Sequence, residues 1–229
     1  ASTVDVSEQP ELLERIKDQS LQQSTCGECG TTFAIQAPFL FLHPKAGILV
    51  QVAPPADLSR WREIEETLGS YADQLRFAAT PGAEGADDAQ GNTTPSADDL
   101  ARVRRRLVFG LNHLNEKIFL AEHGFDDRSI ELLKLSLLAT REDLAEHLRG
   151  AAPEFLVEGL AGNDIVFMLL THDAEGKATR AQLPVPRRVY DAVERDADFA
   201  RNFAELSDAW FVSWLRYVEL TTPESAPQA

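Results

Sequence analysis

The chain has 229 residues, with 22 basic against 37 acidic side chains and a formal net charge of −15. That balance disfavours a broad cationic face for nonspecific nucleic-acid or anionic-membrane binding, which phosphate contact requires. Hydrophobic residues make up 44%, enough to build one large core or two small ones.

Two cysteines do not make a secreted disulfide framework. The opening Ala1–Asp5 lacks the basic and apolar regions of a leader, and no run approaches the ~18 apolar residues of a membrane span. These features place the protein in a reducing cytoplasm. A composition rich in Ala, Arg and Asp and poor in Met goes with a bacterial source.

Taken in chain order, Leu12, Leu13 and Ile16 predict a short helix over 9–18, with Ser7 as N-cap and Pro10 in the first turn. Thr32–Ala37 is a short strand by composition. Phe39–His43 and Ile48–Val52 flank Pro44–Gly47 and predict a hairpin. Trp61, Ile64, Leu68, Tyr71 and Leu75 recur at three and four, which predicts a helix over 57–78. Residues 79–97 hold no large apolar and no basic side chain and are expected to be a flexible acidic linker or loop.

From 98 onward Leu100, Val103, Leu107, Leu111, Leu114 and Ile118 mark one face of a long helix that Gly124 would end. Asp126 and Asp127 start a second helix, and Arg141–Leu148 forms a third. Strands are expected at Phe155–Val157, Asp164–Thr171 and Lys177–Leu183, with a helix opened by Pro184 and Pro186. An amphipathic helix over 196–220 would carry Trp210, Trp214 and Tyr217 on one stripe, followed by a disordered tail at 221–229. The domains are therefore expected at 1–78 and 98–220.

Thr25-Cys-Gly-Glu-Cys-Gly30 has the spacing that grips one side of a tetrahedral zinc. A closed site takes four donors, and Cys26 and Cys29 are the chain's whole supply of thiols. His43 is the nearest histidine and adds one donor. The expected state is an empty relic, hence no cofactor. Zinc held by Cys26, Cys29 and His43 with other groups, or by a second subunit's pair, is an alternative, as is a redox pair. The redox reading wants a helix N-terminus at the first cysteine.

Three further groups have structural readings beside the chemical ones. Arg102, Arg104, Arg105 and Arg106 could bind an anion, but in a helix they spread around the axis and pair with Asp98 and Asp99. Glu116, Asp126 and Asp127 with His113 and His123 could make a metal or acid–base site, but capping accounts for the aspartates and a neighbouring acid for Lys117. The late aromatics could dock a partner, but helical spacing also describes a core.

Several stretches together resemble the CpXC-domain family: Val4–Leu13, Thr25–Gly30, Phe39–Pro44, and Arg106–Phe109 followed by Asn112–Ile118 and Gly124–Ile130. The resemblance covers roughly 4–55 and 100–138. Family members carry another Cys-Pro-x-Cys-Gly pair ahead of the stretch matching Val4. Here that pair is missing, and Gly27 stands where the retained motif has proline. The resemblance implies a ribbon-like β unit and supplies no catalytic residues.

The expected fold class is α+β: an N-terminal zinc-ribbon-like β unit with flanking helices, then a helical segment with a small antiparallel sheet. The expected function is a noncatalytic scaffold or adaptor engaging protein partners, a second copy among them, without a membrane. A zinc-ribbon-type nucleic-acid or regulatory module is the alternative, and a thiol- or carboxylate-dependent enzyme is the third.

Overall fold

The computed structural model describes residues 2–78, 103–148, 151–172, 177–202 and 209–221. Two compact units emerge, one of 1–111 with 209–211 and one of 112–208 with 212–229. The predicted linker at 79–97 and the tail beyond 221 lie outside the described residues. The class is α+β, as the strand and helix patterns indicate.

The first unit begins with β1 (Ser2–Asp5) and α1 (Glu11–Lys17), followed by the short strands β2 (Gln23–Thr25) and β3 (Thr32–Ala34). The predicted hairpin is β4 (Phe39–His43) and β5 (Ile48–Ala53), joined by a 3₁₀ turn at Pro44–Ala46. Gly47 ends that turn at φ 65°, a conformation that glycine adopts without steric cost. Ser7 does not cap α1: its N–H and hydroxyl both donate to Asp5, and Pro10 occupies the cap position. A 3₁₀ segment at Pro55–Arg60 leads into α2 (Trp61–Ala78). Trp61 is buried, with Ile64 and Leu68 packed beside it. The side chains of Tyr71 and Leu75 lie outside the described set.

The predicted helix from 98 is corrected over Arg104–Phe109. Residues Arg104–Phe109 form a strand, β6, parallel to β5 in a sheet of order β1-β4-β5-β6. Leu107, Val108 and Phe109 are consecutive and all buried at 1–3%. A parallel strand covered on both faces reads as a continuous apolar run. The threefold and fourfold recurrence of Leu100, Val103, Leu107 and Leu111 hid that run. Gly110 then turns the chain at φ 86°, where an added Cβ would stand 3.0 Å from Pro55 Cγ. Arg104, Arg105 and Arg106 are therefore strand residues. Arg106 is buried, and its guanidinium donates to the Arg105 and Ala209 carbonyls. Arg102 and the acids at 98 and 99 lie outside the described residues. Contact assigns β6 and Leu111 to the first unit, although the sequence suggested a second domain running from 98 to 220.

The second unit holds α3 (Leu111–Glu122), whose first residue belongs to the first unit, then α4 (Asp127–Thr140) and α5 (Glu142–His147). An antiparallel sheet follows in the order β7 (Ala151–Ala161), β8 (Asp164–His172) and β9 (Ala178–Pro186). β8 alternates strictly, so Ile165, Phe167 and Leu169 face the core with Phe155, Leu133 and Ile130. Pro184 and Pro186 close β9, and Pro186 is at the same time the N-cap of α6 (Arg187–Arg195), so the predicted helix opens there while the strand runs three residues past its expected end at Leu183. β9 is an edge strand, where a residue without an N–H is tolerated.

The long final helix is also corrected. The chain forms α7 (Ala197–Asn202), is non-helical over Ala209–Ser213, and resumes as α8 (Trp214–Thr221). The predicted aromatic stripe is accordingly split. Trp210 and Phe211 belong to the first unit and Trp214 to the core of the second, while the Tyr217 side chain is not described.

Candidate functional site

β2 and β3 pair antiparallel in a ribbon of three residues per strand, and the two thiols stand in its connecting turn. The Cys26 N–H donates to the Thr31 carbonyl, and the Gly30 N–H donates to the Cys26 carbonyl. Gly30 lies at φ 70°, so glycine is the residue that closes this turn without strain. Both cysteines are free. Cys29 Sγ lies 3.3 Å from Thr31 Oγ1. Bonds from the Thr31 side chain, the Thr31 backbone and Cys26 hold the Cys29 thiol down at about 7. Thiolate is the form that binds metal or attacks an electrophile.

These two sulfurs are half of a tetrahedral donor set. Among the described residues no group of three or more His, Cys, Asp or Glu side chains could hold a metal ion. His43 sits at the end of β4 with its ring 6.3 Å from Phe41, and it does not join the thiols. Among the described residues the two sulfurs therefore gain no third donor. Cys26 follows strand β2 in a turn between two strands, not at the helix N-terminus that the redox reading wants.

The ribbon presents apolar side chains to solvent. Phe33 and Ile35 are each 49% exposed. The Ile35 N–H donates to the Gln22 carbonyl at 2.7 Å, which continues the β2–β3 pairing past Ala34. The two side chains, two residues apart, thus share one face.

A different concentration of chemistry lies inside the second unit. Glu116 and Lys117 on α3, with Asp127, Glu131 and Lys134 on α4, are exposed by only 1–5%. Helix spacing of three and four puts Asp127, Glu131 and Lys134 on one face of α4, toward α3. Lys134 Nζ lies 2.8 Å from Glu116 Oε1 and 3.0 Å from Glu131 Oε1. Lys117 Nζ lies 3.3 Å from both Asp127 Oδ2 and Glu131 Oε1.

Backbone groups complete the network. Glu116 Oε1 accepts from Val157 N on β7, and Glu131 Oε2 accepts from Trp214 N. Lys117 Nζ donates to the Val212 carbonyl. Burial and the neighbouring Glu131 push the Glu116 carboxyl up, against the pull of Lys134. Burial also works to raise Glu131, but Lys134 and Lys117 outweigh it and hold that carboxyl below the ordinary range.

The other predicted site residues disperse around this cluster. Asp126 caps α4, accepting from Arg128 N and Ser129 N, as its position suggested. Asp127 does not cap; it is the buried partner of Lys117. Burial lowers His113 to about 4, so its imidazole is neutral at physiological pH. His123 is exposed, with Nδ1 2.8 Å from the Phe119 carbonyl and its ring stacked on Phe119. His113 and His123 therefore do not converge with the aspartates on an open acid–base site.

Sequence reading missed the cluster because Glu131 and Lys134 look like a solvated helix pair. The available signal was the flanking pattern: Ile130, Leu132 and Leu133 leave no side of α4 free for a purely polar face.

No helix among the described residues is long and apolar enough to cross a membrane. No curated protein and no solved structure matches the chain. The family model described as CpXC protein matches residues 1–134. That span includes the thiol turn and ends on Lys134, so all five clustered ionisable residues fall within it. With more than half of its 229 residues matched, the chain belongs to the CpXC protein family.

Proposed function

We propose that this protein is a noncatalytic adaptor that works through protein–protein contacts, with the β2–β3 ribbon as its contact surface. The observation that carries this reading is the exposed pair Phe33 and Ile35 on a ribbon of three-residue strands. An isolated two-stranded ribbon is marginal in water, so a partner seated on it both covers apolar surface and orders the strands. The ionisable groups most concentrated in the fold point the same way. They are sealed from solvent and committed to ion pairs and backbone bonds, an arrangement that holds structure together. Two free thiols in one turn fit a reducing cytoplasm.

The test is affinity capture from the native host, with bound proteins identified by mass spectrometry and then reconstituted from purified components. The Phe33→Ser, Ile35→Ser double variant is expected to lose a reconstituted partner while keeping the wild-type unfolding transition. Undiminished binding by that variant refutes the ribbon as the contact.

A metal-supported version of the same module is favoured by the turn itself, whose thiol at about 7 is primed for ligation. Its two missing donors would come from outside the described residues. Zinc titration of the reduced protein with a chromogenic competitor separates the readings. Stoichiometric uptake that Cys29→Ser abolishes supports the metal-bearing ribbon. A nucleic-acid role has the charge of −15 against it.

A further inference from the structure

The first unit is completed by three residues from far along the chain, Ala209–Phe211. They are held in two ways. Glu65 Oε1 on α2 accepts from both Trp210 N and Phe211 N, each at 2.8 Å, across 145 and 146 residues of sequence. On the other side Leu107 N of β6 donates to the Trp210 carbonyl at 2.8 Å, and the Arg106 guanidinium reaches the Ala209 carbonyl. β6 is an edge strand of its sheet, so these bonds satisfy backbone groups that an edge leaves open.

Side chains add the anchors. Phe211 is 2% exposed, with ring centroids 5.2 Å from Trp61 and 5.4 Å from Phe109. The Arg105 guanidinium lies 5.9 Å from the Trp210 ring. Backbone bonds along a sheet edge combined with a buried aromatic anchor are the way proteins hold an extended peptide. The site thus treats Ala209–Phe211 as a short ligand supplied by its own chain.

We propose that this slot also takes the Ala209–Phe211 segment of a second copy of the chain, in exchange for its own. The occupant follows from the fit, because the segment seated in the slot is the chain's own sequence. Each contact named above would be remade in trans, so exchange changes the connection and not the chemistry. The surface is separate from the ribbon of the proposed function and stands or falls apart from it.

Complementation tests the exchange. Glu65→Ala damages the slot and keeps the segment; Phe211→Ala damages the segment and keeps the slot. Each variant alone is expected to run as a single 25.3 kDa chain. A mixture is expected to show at least tenfold more two-chain species by light scattering, since one chain's intact segment fills the other's intact slot. A mixture that stays monomeric while both variants unfold cooperatively overturns the proposal.

If either variant fails to fold, Glu65→Gln and Phe211→Leu replace the pair. In that case a fluorescent peptide of residues 205–216 is also titrated. It is expected to bind Phe211→Leu at least tenfold more tightly than wild type, where the native segment competes. Equal or absent binding overturns the proposal.

Discussion

In the β2–β3 ribbon every residue of β3 is exposed, and the reactive groups are two thiols in an open turn. In the facing surfaces of α3 and α4, five ionisable side chains are withdrawn from water to 1–5% exposure. The contrast shows that ionisable groups do not mark an active site by their number. A charge buried with its partner is a structural commitment, because removing one member strands the other in a low dielectric. The Cys29 thiol bonds only within its own turn, and the exposed Phe33 ring is half in water, so neither holds distant elements of the fold together.

The contrast is broken most forcefully at Lys134. Lys134→Met leaves Glu116 and Glu131 without an ammonium that lies within 3.0 Å of each. The expected loss is about 3–5 kcal/mol in denaturant unfolding. Adding Glu116→Gln to that variant should recover part of it, because the stranded carboxyl is then neutral. A loss below ~1 kcal/mol for Lys134→Met would mean that water reaches the cluster.

The next effect is on pH. His113 titrates at about 4 in the fold against 6.5 ordinarily, so the unfolded chain binds a proton more readily in between. Stability should therefore fall as pH drops from 6.5 towards 4, by about 1–3 kcal/mol. Thermal unfolding across that range reads it, and His113→Gln should abolish the fall. With the imidazole removed, the raised Glu116 should leave a slope of the opposite sign, stability declining as pH rises above its ordinary 4.5.

Smaller effects sharpen the comparison. Asp126→Ala removes the cap of α4, and with it bonds to Arg128 N and Ser129 N, for about 1 kcal/mol in the same assay. On the ribbon side, Phe33→Ser with Ile35→Ser should stay within about 0.5 kcal/mol of wild type, because both side chains are already half in water. A large loss there would show that the ribbon packs against its own unit, and would remove the main support for a contact surface.

Legibility followed the range of the forces involved. The hairpin at Phe39–Ala53 was readable because its apolar residues and its glycine turn act over a few positions. The Asp126 cap was readable for the same reason. Arg104–Phe109 was not, since a short apolar run suits a helix or a buried strand equally, and only the parallel partner Ile48–Ala53 decides between them. Pro186 was legible from its neighbours, since it caps α6 as the local pattern suggested, whereas the run of β9 up to it depends on pairing with β8 and was not.

The sequence by itself determined the α+β class, the family, and the turn in which Cys26 and Cys29 stand, because all three are written in short motifs and local periodicities. Tertiary structure alone decided that Glu131 and Lys134 are interior and that Phe211 serves a unit ending about a hundred residues earlier. Burial and long-range pairing are properties of a side chain's surroundings. Those surroundings are assembled from segments that one stretch of sequence does not contain.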